Sequence, residues 1–208
     1  MTKRLLLSIE FLILFVLLPL SLTIKYNIRI KAFLILLGFV YIIFVLLKNY
    51  WKTFENKRKP HLKWFWKRTF MQLGIIIVFT TIYMYVVEKS YLFYMVIEKP
   101  QTWLLFVGIY SLLSVYPQEL IYRTFYFKRY KALFSNTQLF IYVNAIIFSL
   151  AHLFFGSLMV QIITLIGGLI FAWTYHKTQS TFLVSIQHAI YGSWLFSVGM
   201  GPLLGFPG

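Results

Sequence analysis

The sequence predicts an all-α polytopic membrane bundle of about seven helices, and three observations predict it. Of 208 residues, 60% are hydrophobic, well above the roughly 45–50% apolar content of soluble domains. Mean hydropathy is +0.77. Seven apolar runs approach the ~20 residues that cross a ~30 Å hydrocarbon core. They lie at 5–24, 32–47, 69–87, 102–116, 139–155, 158–175 and 181–198. None shows the strict alternation of membrane barrel strands.

The first run follows Met-Thr-Lys-Arg and imitates a signal peptide. It is too long for one, and no small-x-small cleavage pattern follows, so it reads as an uncleaved helix with Glu10 packed towards the bundle. The second run completes an N-terminal pair almost without polar atoms. The two form a scaffold (residues 1–68 with the basic segment behind them) for a helical core over 69–208 of a single membrane domain.

Eight of the 20 Lys and Arg fall between positions 48 and 68. Short basic loops stay cytoplasmic, and such clusters attract anionic lipid headgroups. Trp51, Trp64 and Trp66 interleave with them and suit the headgroup boundary. No RNA-binding motif accompanies the net charge of +15, so nucleic acid is not an expected partner. The segment at 48–68 therefore sets the N-terminus in the cytoplasm. The chain also has no cysteine, which excludes disulfides, thiol catalysis and Cys-ligated metal.

After the third run, residues 88–101 are external and the fourth helix returns, extended by 117–134. Pro117 predicts a kink there that frees backbone carbonyls. Ser-Asn-Thr at 135–137 marks a turn and helix start. The fifth and sixth helices follow, and a second turn at 177–180 leads into the seventh.

The chemistry-bearing residues lie in the second half. Gln118-Glu119-Leu-Ile-Tyr-Arg123 sets a carboxylate and a guanidinium one helical turn apart inside apolar sequence. An ion buried there costs several kcal/mol unless it is paired or used. Glu119 is one of only five acidic residues. About the 135–137 turn, Glu119 and His152 each stand about sixteen residues away, hence roughly 24 Å along facing helices. Asn144, Phe148 and His152 share one face, while His188 enters from the seventh helix with Gln187 before it and Gly192 and Ser193 one turn on. Glu119, His152 and His188 are thus expected to line one cavity.

Each feature alone has a plain structural reading: a helix ion pair, a satisfied histidine at a helix end, a histidine bound to a carbonyl across helices. Zinc lacks a His-Glu-x-x-His pattern, and no cofactor follows from the residues. The tyrosine and phenylalanine wealth reads as bundle packing and an interfacial belt.

Together, the three motifs resemble the CPBP family of intramembrane endopeptidases, which includes the CAAX prenyl proteases and bacterial Abi proteins. Glu-Glu-x-x-x-Arg is matched by Gln118-Glu119-Leu-Ile-Tyr-Arg123, and Phe-x-x-x-His by Phe148-Ser-Leu-Ala-His152. His-x-x-x-Asn is matched in part by His188-Ala-Ile-Tyr-Gly192. The resemblance implies hydrolysis of a peptide bond in a peptide or membrane-protein substrate by water that a glutamate and His152 activate. It implies that His188 serves the oxyanion and that Arg123 holds Glu119. Gln118 replaces the first glutamate and cannot act as a general base, which leaves Glu119 for that role. Gly192 removes one oxyanion donor, for which Ser193 or Gln187 is the expected substitute. The alternative is a catalytically silent relative acting as a membrane binding, scaffold or immunity protein. A transporter fits less well, since inverted repeats are not evident.

The topology has a direct test. A cysteine introduced in place of Lys57 in the cysteine-free chain should react with a membrane-impermeant thiol reagent only from the cytoplasmic side. Labelling from outside would invert every helix.

Overall fold

Four helix starts follow from capping chemistry written in the sequence. The side-chain oxygens of Thr2, Asn136, Ser157 and Ser180 each accept a backbone N–H from the first turn of the helix they precede. The computed structural model describes residues 2–50 and 62–204. Within them the chain forms only helices: α1 (Lys3–Ser21), α2 (Ile28–Tyr50), α3 (Leu62–Val87), the short α4 (Tyr94–Glu98), α5 (Pro100–Arg129), α6 (Thr137–Leu150), α7 (Leu158–Thr178) and α8 (Thr181–Leu195). The all-α membrane bundle is the observed architecture.

Six of these helices are long and apolar enough to cross a membrane: α1, α2, α3, α5, α6 with the turn after it, and α7. The expected seventh crossing is not among them. α8 has 15 residues, winds wider over Phe196–Met200 and breaks at Gly199, whose φ of 106° ends any regular helix. The outer faces of α2 and α3 expose rows of large apolar side chains, such as Phe33, Val40, Phe44, Phe79 and Val86, as lipid-facing helices do. Much of the basic segment, including Trp51 and Lys57, lies outside the described residues. At its described end, Arg68 sits over the Trp64 ring at 5.7 Å and Trp66 stacks on Phe70.

The core runs between α1, α5, α6 and α7. Phe15 of α1 meets Tyr122, Phe125, Tyr126 and Tyr130 of α5 or the turn after it, and Tyr126 stacks on Phe140 of α6 at 4.5 Å. α6 and α7 cross closely because Gly168 faces Ala145; a methyl on Gly168 would come within 3.0 Å of the Ala145 Cα. Small residues at a crossing let two backbones approach where lipid supplies no hydrophobic drive.

The N-terminal pair is less purely apolar than its sequence suggests. Glu10 does pack towards the bundle, where its carboxylate accepts from Arg129 Nε at 2.9 Å, Arg129 Nη2 at 2.6 Å, Tyr130 Oη at 2.8 Å and Tyr41 Oη at 2.8 Å. One carboxylate thus joins α1, α2 and the end of α5. Hydrogen bonds to a charged group contribute about 1.5–3 kcal/mol net. Glu10→Gln should therefore lower stability by about that amount, read as a lower unfolding midpoint in mild detergent. An unchanged midpoint would show that the clasp contributes nothing.

Candidate functional site

α5 brings the first motif into place through an unusual winding. Tyr110–Val115 and Leu120–Phe125 are wide π turns, and Tyr116–Glu119 lies between them. Pro117 has no N–H to donate to the preceding turn. The wide turn ahead of it absorbs the loss, and Tyr116 keeps helical angles of −61° and −46°. The expected interruption at Pro117 is replaced by local unwinding, a device common at functional sites.

Glu119 and Arg123 are both fully buried. Glu119 Oε2 lies 3.0 Å from Arg123 Nε, and its Oε1 accepts from His188 Nδ1 at 2.8 Å. Arg123 also donates to Asn144 Oδ1 and lies over the Phe148 ring at 4.8 Å. Asn144 Nδ2 returns a bond to the Tyr122 carbonyl at 2.7 Å. Asn144 therefore braces the guanidinium from α6, and the ion pair locks α5, α6 and α8 together.

His188 stacks on Phe171 with ring centroids 4.4 Å apart and meets Phe148 and Tyr110 edge-on. A carboxylate can only accept, so Nδ1 carries the proton. His152 lies just beyond α6, which stops at Leu150 instead of running to 155. Its Nδ1 pairs with the Phe148 carbonyl at 2.8 Å, the acceptor a continuing helix would give to the His152 N–H. That N–H donates to Ser149 instead. Because the carbonyl cannot donate, Nδ1 holds the proton and the neutral ring keeps its lone pair on Nε2.

A cavity of about 820 Å3 opens beside these groups. His152, His188, Phe148 and Gln118 line it. It reaches the bundle surface between α3 and α7, where the lining residues Ile75, Phe79, Ile162 and Ile166 are exposed. Glu119 does not line it, contrary to expectation: both its oxygens are engaged behind His188 and it has no exposed surface. Gln118 faces the cavity in its stead. Its Nε2 donates to Ser114 Oγ at 2.8 Å, while Oε1 has no hydrogen-bond partner among the described residues.

The two expected substitutes for a missing donor at 192 do not reach the cavity. Gln187 is tied to Thr69, Gln72 and Tyr191, and neither it nor Ser193 is among the cavity-lining residues. Neighbours of a residue on a helix project about 100° to either side, so 187 and 193 leave the face that 188 and 192 share. Sequence reasoning passed over Tyr110 and Phe171, both in the cavity wall, as part of a general aromatic excess. The isolated glycine at 192, one turn after His188, was the available signal. Among the described residues, no three His, Asp or Glu side chains converge as metal ligands would.

Arg123→Leu should cost about 3–5 kcal/mol, because it strands a buried carboxylate. Adding Glu119→Leu should recover most of that loss, since an apolar pair often replaces a buried ion pair without penalty. Folded yield after detergent extraction would show both. An unaffected single variant would mean that the pair carries no structural weight.

Residues 100–194 match the family described as Type II CAAX prenyl endopeptidase Rce1-like. No curated protein and no solved structure matches the chain. The matched stretch, just under half of the chain, begins with α5 and ends in α8, and it contains Glu119, Arg123, Asn144, Phe148, His152 and His188. Over these residues the chain is similar to that family of prenyl endopeptidases.

Proposed function

We propose that this chain is an intramembrane endopeptidase that hydrolyses a peptide bond in a peptide or membrane-protein substrate. The observation that carries the reading is the pair of imidazoles in one apolar cavity, held in different ways. His152 presents a lone pair on Nε2, as a general base requires. His188 is anchored through Nδ1 to a buried carboxylate and offers its other nitrogen to the cavity.

In this mechanism, water binds at His152 Nε2 inside the cavity. Its oxygen bonds to the scissile carbonyl carbon while its proton passes to His152, and the carbonyl π pair moves onto oxygen. Protonated His188 donates from Nε2 to that oxyanion. His152 then returns its proton to the leaving amine as the C–N bond breaks. Glu119 is a positioning residue that holds His188 as a donor, and Arg123 and Asn144 hold Glu119. This differs from Glu119 acting as the base, because both of its oxygens are already engaged.

The protein would reside in the cell membrane with its N-terminus in the cytoplasm. The basic residues at 48–68 would then rest on anionic headgroups. A substrate of low polarity suits a cavity whose opening is flanked by lipid-exposed side chains. Gln118 favours a second reading, in which a silent relative binds such a peptide without cutting it.

The test uses purified protein in detergent with two quenched peptides, one farnesylated near its C-terminus and one unmodified apolar peptide. Cleavage of either should fall about 10²–10⁴-fold in His152→Ala, and fall also in Glu119→Gln, with the protein still folded. Cleavage that survives in His152→Ala would remove the proposed base. Binding without cleavage, equal in wild type and in a variant that combines His152→Ala with Glu119→Gln, would establish the silent relative.

A further inference from the structure

Tyr110 and Gly192 form a matched pair in the wall of the cavity. Tyr110 opens the first wide turn of α5, and Gly192 lies one turn beyond His188 on α8. A methyl group built on Gly192 would overlap the Tyr110 hydroxyl and the ring edge that bears it. Every side chain other than hydrogen at 192 is therefore incompatible with the phenol where it stands. Glycine costs an α-helix roughly 1 kcal/mol relative to alanine, yet Gly192 lies inside regular helix with nothing in its backbone angles to require it. Close approach of the phenol is the physical reason for it.

The phenol sits beside the groups that matter. Its ring meets His188 edge-on, with centroids 6.0 Å apart at 82°. His188 cannot drift from it, because Phe171 stacks on one face of the imidazole and Glu119 fixes Nδ1. Tyr110, His188 and Gly192 all line the same cavity as His152 and Gln118. A phenyl ring would fill the Tyr110 site equally well. The hydroxyl adds a donor to a wall made mostly of carbon.

We propose that the Tyr110 hydroxyl is a catalytic residue that donates a hydrogen bond to the carbonyl oxygen as it becomes an oxyanion, alongside His188. Gly192 is glycine because this phenol occupies its side-chain volume. The proposal rests on the endopeptidase reading above. Tyr110 keeps its proton throughout; the attacking water loses one to His152, and the charge that develops on the carbonyl oxygen is shared between two donors. A preorganised donor in a water-poor site acts on the transition state more than on the bound substrate.

The experiment compares wild type with Tyr110→Phe on whichever of the two quenched peptides the wild type cleaves. Removal of one such donor lowers kcat on the order of 10²-fold, with KM unchanged. Binding of a peptide aldehyde, whose hydrate imitates the tetrahedral centre, should weaken in parallel while binding of uncleaved peptide does not. A second pair of variants guards against misfolding. Tyr110→Ala empties the volume, and Tyr110→Ala with Gly192→Asn puts an amide donor into it. The double variant should cleave at least about tenfold faster than Tyr110→Ala, a partial return of the donor's effect.

Wild-type kcat in folded Tyr110→Phe, or a change in KM alone, would overturn the role of Tyr110 and leave the endopeptidase reading intact. If Tyr110→Phe does not fold, equal rates in Tyr110→Ala and the double variant would overturn it. Binding of peptide without cleavage by wild type would overturn both.

Discussion

A carboxylate that cannot reach water organises the second half of this protein. Glu119 is fully buried on a helix that crosses hydrocarbon, where an unpaired charge costs several kcal/mol. Its oxygens are met by Arg123 from the same helix and by His188 from α8. Arg123 then needs partners of its own and finds Asn144 and the Phe148 ring on α6. Three helices are thereby fixed in depth and rotation by the requirements of one ion pair. The imidazole at its end inherits that precision.

The same logic recurs at the other end of α5. Glu10 satisfies both oxygens with Arg129, Tyr130 and Tyr41, which binds the N-terminal pair to the helix that carries the site. Helix association in lipid gains little from apolar burial, because lipid tails are equally apolar. Polar clasps and close small-residue crossings take over that task. α1 and α2 are attached through charge and aromatic packing as well as through buried apolar residues such as Leu7, Ile42 and Leu46.

The two departures from the resembled motifs are consistent with one rearranged site. Gln118 lines the cavity together with His152, while the adjacent carboxylate of Glu119 lies behind His188. Gly192 yields its volume to Tyr110. In an apolar cavity a few fixed dipoles act strongly, because little solvent screens them. A carboxamide, a phenol and two differently anchored imidazoles form a chemically coherent set without a free carboxylate.

Apolar run length and composition alone determined that the chain is helical and crosses a membrane. Motif spacing determined that residues 118–123, 148–152 and 188–192 meet. The 135–137 turn signal placed α5 and α6 as neighbours, and Asn136 does cap α6. Tertiary structure decided which atoms face the cavity. Gln118 and Glu119 are adjacent, and helical phase selects between them. The π turns on either side shift that phase in a way no regular period predicts. The end of α6 at Leu150 follows from a side-chain bond of His152 to the Phe148 carbonyl, which competes with the backbone ladder. Tyr110 is one of 15 tyrosines in the sequence, and only the contact with Gly192 distinguishes it. Local pattern fixes which segments bury themselves, whereas side-chain orientation depends on contacts between segments far apart in the chain.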